Sequence, residues 1–195
     1  MYMKIGIWML VLLWPAASVA QRDAALALAK AVGLCEESYA ANGNTTQAPC
    51  ANCKLYLVPL QGQLPRPEWF FLEARSAAHC GSGGCTGTVY HKTGQQYTER
   101  FSLFGVVDRE RSRPNASPPV IVYRHRTSRY DFNGNGLGES ATVWASYTWS
   151  AAHKRLLLAD ILRIQQDDGS GTNVPLGKWR EKLLREWRQD SPWVF

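Results

Sequence analysis

Val120-Ile-Val-Tyr-Arg-His-Arg-Thr-Ser-Arg-Tyr130 and Ser140-Ala-Thr-Val-Trp-Ala-Ser-Tyr-Thr-Trp-Ser150 flank the connection Asp131-Phe-Asn-Gly-Asn-Gly-Leu-Gly-Glu139, and a further strand-like run, Leu156 to Ile161, follows. In the second segment Val143, Ala145, Tyr147 and Trp149 share one face, while Thr142, Ser146, Thr148 and Ser150 share the other. A period of two marks a strand with one buried face. Trp144 interrupts the polar side, so the outer face is expected to be partly covered. Two long strands joined by a glycine- and asparagine-rich connection place an antiparallel sheet at the centre of the fold.

Working outward, Tyr97 to Val107 and Thr86 to Lys92 read as strands about the turn Lys92-Thr93-Gly94, and Trp69 to Ala74 and Lys54 to Leu60 as two more. The prolines Pro59, Pro65 and Pro67 keep the segment between those two from being a central strand. Asp108 to Pro119, rich in charge and proline, reads as an exposed loop. His125, between Arg124 and Arg126, reads as a surface residue rather than a catalytic base. An Ala- and Leu-rich run from Arg22 to about Tyr39 reads as one helix, with Leu26, Ala29, Gly33 and Leu34 on one face. Pro175 opens a last helix to about Gln189, with Leu176, Trp179, Leu183 and Trp187 at helical spacing and Glu181 with Arg185 one turn apart. The expected fold is α+β, an antiparallel sheet of about six to eight strands with an N-terminal and a C-terminal helix.

The first residues, Met1-Tyr-Met-Lys4 followed by an apolar run from Ile5 to Trp14 and by Ser18-Val-Ala20, have the layout of a secretory signal. Residues 1–20 are therefore expected to be removed, leaving a single domain over 21–195 in the periplasm or outside the cell. Lys4 is the one charge of that leader, so 21 basic residues stand against 16 acidic from Gln21 onward, a net +5. This balance favours an acidic partner. The basic residues are scattered and the chain is exported, which argues against nucleic acid.

Five cysteines, Cys35, Cys50, Cys53, Cys80 and Cys85, in an exported chain read first as disulfide chemistry. The glycines of Cys80-Gly-Ser-Gly-Gly-Cys85 let the backbone close on itself, so those two are expected to pair. Cys35 reaches Cys50 or Cys53, or those two pair locally, and one thiol is left over. Cys50-Ala-Asn-Cys53 has redox and metal spacing, but a loop precedes it and a strand follows, so a structural disulfide is the expected role. No nucleophile elbow, paired zinc histidines or phosphate loop is present, and Ser82 beside His79 is what a tight disulfide loop requires.

The loop Asp131 to Glu139 resembles the calcium loops of secreted β proteins with FG-GAP or VCBS repeats. The resemblance implies Asp131, Asn133, Asn135 and Glu139 as oxygen ligands, with the Leu137 carbonyl as a fifth and calcium as the ion. Asn135 stands where that family usually has Asp, and a closing carboxylate would fall at Thr142. The glycine disulfide loop followed by this hairpin is similar to a layout of small proteobacterial envelope proteins, which implies no activity. Lys178, Trp179, Lys182 and Trp187 mark the last helix either as packed on the sheet, the expected use, or as a contact for a partner or an anionic membrane surface. The function expected from these residues is an exported, non-enzymatic binding protein of the cell envelope, engaging a protein partner as an inhibitor, immunity or assembly factor does. The alternatives are a hydrolase or redox enzyme and a membrane-surface protein.

Overall fold

The computed structural model describes residues 13–35, 50, 53–77 and 79–189, with side chains from residue 19 onward. Its elements run α1 (Leu13–Ala31), β1 (Lys54–Gln61), β2 (Trp69–Arg75), β3 (Cys80–Gly81), β4 (Gly84–Thr93), β5 (Gln96–Val107), β6 (Val120–Tyr130), β7 (Glu139–Ser150), β8 (Arg155–Gln166) and α2 (Gly177–Gln189). One antiparallel sheet takes the order β1-β2-β4-β5-β6-β7-β8, with the short β3 paired to β4. This is the expected α+β class, with the expected helix at each end of the sheet. Most of the leader and the tail 190–195 lie outside the described residues, and the expected cleavage point after Ala20 falls inside α1. Among the described residues no helix is long and apolar enough to cross a membrane.

The sheet curls on itself, bringing Trp69 of β2 within 5.2 Å of Trp149 of β7, ring centre to ring centre. The alternation of β7 does this: Val143, Ala145, Tyr147 and Trp149 all point into one core with Phe71, Val89, Leu103, Ile121 and Tyr123. Register shifts at Trp144/Ala145 and Ser146/Tyr147 leave extra residues on β8, and such bulges deepen the local bend and twist. Helix α2 closes this core with Trp179, Leu183, Leu184 and Trp187. A second, smaller core lies on the opposite face of β1, β2 and β4, where Ala24, Ala25, Leu28 and Ala29 of α1 cover Leu57, Phe70, Leu72 and Tyr90. Strand β2 is thus buried on both faces.

Two sequence expectations change and a third changes in part. Helix α1 stops at Ala31 rather than continuing to Tyr39, because Gly33 takes a left-handed φ of 76° and ends it. Gly33 N–H donates to the Lys30 carbonyl and Leu34 N–H to that of Ala29, the paired bonds of a Schellman cap. His125 is fully buried, since it shares a pleat with Tyr123 and Thr127 whereas the arginines on either side point the other way. The Asp108 to Pro119 loop is mostly exposed, as expected, but not throughout: Asp108 and Ser112 are buried, and the Asp108 carboxylate accepts from Trp144 Nε1 at 2.9 Å. That bond, with Arg163 lying 4.8 Å over the indole, is the partial cover that Trp144 required on the outer face.

Strands β6 and β7 pair along most of their length, from Val120–Thr148 to Tyr130–Glu139. Strands β5 and β6 pair through Val106–Arg124 and Val107–Tyr123 alone. There, side chains stand in for the backbone ladder. Tyr123 Oη donates to the Leu103 carbonyl at 3.2 Å, and His125 Nδ1 to that of Phe104 at 2.8 Å. The buried Glu73 of β2 accepts from Val107 N–H at 2.9 Å and from Arg75 Nε at 2.6 Å. Gly87 makes room for this seam, because a Cβ there would lie 2.3 Å from the Phe71 ring and 2.7 Å from Tyr123 Oη.

Candidate functional site: a basic cleft between α1 and β1

The cap that ends α1 turns the chain at Cys35, and a disulfide from Cys35 to Cys50 ties this turn to the residues that lead into β1. Helix and edge strand are thereby held apart around a cleft of about 670 Å³. Its walls are Gln21, Arg22, Ala25, Leu26 and Lys30 from α1, Lys54 to Leu57 from β1, and Arg109 from the loop after β5. Arg22, Lys30, Lys54 and Arg109 are all exposed, and among the described residues no Asp or Glu lines the cleft. Arg109 lies 5.4 Å over the Tyr56 ring and donates to the Lys54 carbonyl at 3.3 Å, so its guanidinium is held at the rim. Burial and the neighbouring Arg75 lower its pKa, as a crowded positive field does. Lys30 sits in the last turn of α1, where the carbonyl end of the helix favours a cation.

Cys53 also lines the cleft and is in no disulfide. The structure thus selects Cys35–Cys50 from the three open alternatives. Cys53 Sγ lies 3.7 Å from His79 Nδ1, and Ser76 Oγ lies 2.7 Å from the same nitrogen. His79 Nε2 faces the Leu34 carbonyl at 3.0 Å, which only accepts, so Nε2 carries the proton and Nδ1 is the acceptor. His79 therefore works with Ser76 and Cys53 rather than with Ser82. The second disulfide, Cys80–Cys85, forms as expected and closes the hairpin of β3 and β4.

The 131–139 loop brings its oxygen side chains together, but as a hydrogen-bonded turn. Asp131 accepts from the backbone N–H groups of Asn135 and Gly136 at 2.9 and 2.7 Å, and these bonds hold its carboxyl below the usual carboxylate range. Glu139 accepts from the side-chain amides of Asn133 and Asn135 at 2.6 and 3.1 Å, while Asn135 Oδ1 accepts from Leu137 N–H. A cation would have to displace these donors and turn two amides around. Among the described residues no group of three or more His, Cys, Asp or Glu is placed to hold a metal. The donor set in this arrangement does not fit a calcium cage.

On α2, Trp179 and Trp187 are 7% and 2% exposed, and Trp187 Nε1 donates to Tyr130 Oη at 2.8 Å. They are packed into the core, the use expected of this helix. Lys182 and Lys178 lie over the Trp179 ring at 4.8 and 5.5 Å, covering its outer side. Arg180 anchors the helix to β8 through both oxygens of Asp160, at 2.7 and 2.9 Å. The cleft itself was not visible in the sequence, because its cations come from three segments, residues 22–30, 54 and 109, that only the fold brings together. No family model matches the chain, and neither a curated protein nor a solved structure matches it.

Proposed function

We propose that the protein is an exported, non-enzymatic binding protein that receives an acidic segment of a protein partner in the α1–β1 cleft. The observation that carries this reading is the lining of the cleft, where the described residues include four exposed cations and no carboxylate. Cations held at a concave rim attract an acidic chain over a distance and fix its register on arrival. β1 is an edge strand of the sheet, so its main chain suits an extended segment laid beside it. Every α1 residue of the cleft lies beyond Ala20, so removal of a signal peptide leaves the lining intact. Two disulfides fit the oxidising space outside the inner membrane.

The test is fluorescence anisotropy of a labelled polyglutamate peptide titrated with the protein. Binding is expected to weaken as salt is raised, and the charge reversals Lys54→Glu and Arg109→Glu should each weaken it roughly tenfold or more. Arg155→Glu, an exposed reversal at the start of β8, should leave it unchanged. Equal affinity for all four proteins, or none for the unaltered one, would overturn the proposal. A second reading, thiol chemistry, draws on Cys53, which lines the same cleft and lies 3.7 Å from His79. Cys53→Ser separates the two, since the binding reading expects full peptide affinity in that variant.

A further inference from the structure

The outer face of β6, β7 and β8 carries Arg124, Trp144 and Arg163 side by side in cross-strand register. Their neighbours are accounted for: Arg163 donates to Asn173 Oδ1 at 2.7 Å, Trp144 to Asp108, and Arg126 pairs with Asp167 at 3.0 Å. Arg124 differs. Its Nε is buried and has no hydrogen-bond partner among the described residues. The other buried side-chain atoms in that condition are tyrosine hydroxyls and indole N–H groups, so Arg124 is the one cation among them. A guanidinium N–H withdrawn from water without an acceptor is costly, and an acceptor supplied from outside would remove that cost.

Arg124 lines a cavity of about 490 Å³ between this face and the hairpin of β3 and β4. The Cys80–Cys85 bond fixes the hairpin over the arginine. Gly81 also lines the cavity, and a Cβ there would meet nothing within 4 Å. Its φ is not positive either, so neither packing nor backbone requires glycine at that place. The missing side chain keeps the space open.

We propose that this cavity binds the carboxylate of a small organic acid through Arg124. The planar guanidinium fork matches a carboxylate, and the single unneutralised cation matches a single negative charge. Asp167, in the polar groove that continues past Arg126 and Thr142, already neutralises Arg126, so one cation is left and a dianion such as sulfate or phosphate would be only half compensated. This site shares no residue with the α1–β1 cleft and stands independently of the function proposed there.

The experiment follows the Arg124 Nε–H resonance of ¹⁵N-labelled protein during titration with sodium acetate, with chloride at equal ionic strength as reference. A saturable shift is expected with acetate and a weaker one with sulfate or phosphate. Arg124→Lys, which keeps the charge but loses the fork, should weaken acetate binding roughly tenfold, measured by calorimetry. Acetate should also raise the melting temperature of the unaltered protein over the chloride reference, and not that of Arg124→Gln. No saturable shift, or equal acetate binding by Arg124→Lys, would overturn the site. Tighter binding of sulfate or phosphate than of acetate would overturn its assignment to a carboxylate.

Discussion

The two seams on either side of β6 are built differently. Toward β7 the main chains pair almost throughout, and the facing side chains are free to be apolar on the inside and polar on the outside. Toward β5 the main chains meet at two places, and Tyr123, His125 and Glu73 supply the missing bonds from side chains. A seam made by the backbone tolerates substitution because every residue brings the same N–H and C=O. A seam made by side chains depends on particular residues and on their protonation. The two rings bond to β5 carbonyls where main-chain pairing has ended, so the sheet stays joined through this short seam.

Glu73→Ala should break the weaker seam outright. It removes the acceptor of a buried N–H on Val107 and the counter-charge of Arg75 together. Breaking a fully buried ion pair costs about 3–5 kcal/mol, and with Arg75 one-quarter exposed the loss should fall at the lower end, to be read as a lower urea midpoint. Glu73→Gln keeps an acceptor for Val107 and should cost less. Equal stability of Glu73→Ala and the unaltered protein would mean that the two main-chain pairs hold the seam unaided.

Acid should act on the same seam. His125 donates through Nδ1 to Phe104 and accepts through Nε2 from Tyr147 Oη at 2.8 Å, so the neutral ring is fully satisfied. Burial pushes its pKa from 6.5 down to about 4, against the opposing pull of the Phe104 carbonyl. The unfolded chain thus takes up a proton that the folded protein resists, and stability present at neutrality is lost as the pH falls from about 6.5 toward 4. The loss should reach about 3 kcal/mol. His125→Gln keeps donor and acceptor but cannot titrate, so its denaturation midpoint should fall less over that interval. Parallel pH profiles for the two proteins would assign the acid sensitivity elsewhere.

The same contrast decides what could be read from the sequence. The β6 to β8 strands were legible because period-two alternation reports a ladder, and α2 because Trp179, Leu183 and Trp187 recur at helical spacing. The charged neighbours of His125 hide its burial, because the pleat puts it opposite both arginines. Glu73 carried no signal, since a lone acid in a strand has the same sequence appearance whether it faces water or a seam. The Cys35–Cys50 bond and the cleft depend on where a helix stops, and a single left-handed Gly33 sets that.

The smallest effect is expected where the ladder seam is strongest, in its own connection. Asp131 is half-buried and its two carboxylate bonds stay within the loop, while β6 and β7 are held by their main chains below it. Asp131→Ala should therefore lower the melting temperature only slightly, far less than either change at the β5–β6 seam. Millimolar calcium should leave the melting temperature of the unaltered protein where it was, because Asn133 and Asn135 turn their amide nitrogens toward Glu139 and Asn135 Oδ1 is taken by Leu137. A ligand stabilises only in proportion to its binding of the folded state, about 1.4 kcal/mol at tenfold its dissociation constant. A calcium-dependent rise in calorimetry that Asp131→Ala abolishes would show that the loop reopens into a cage, and that this end of the ladder is the adaptable one.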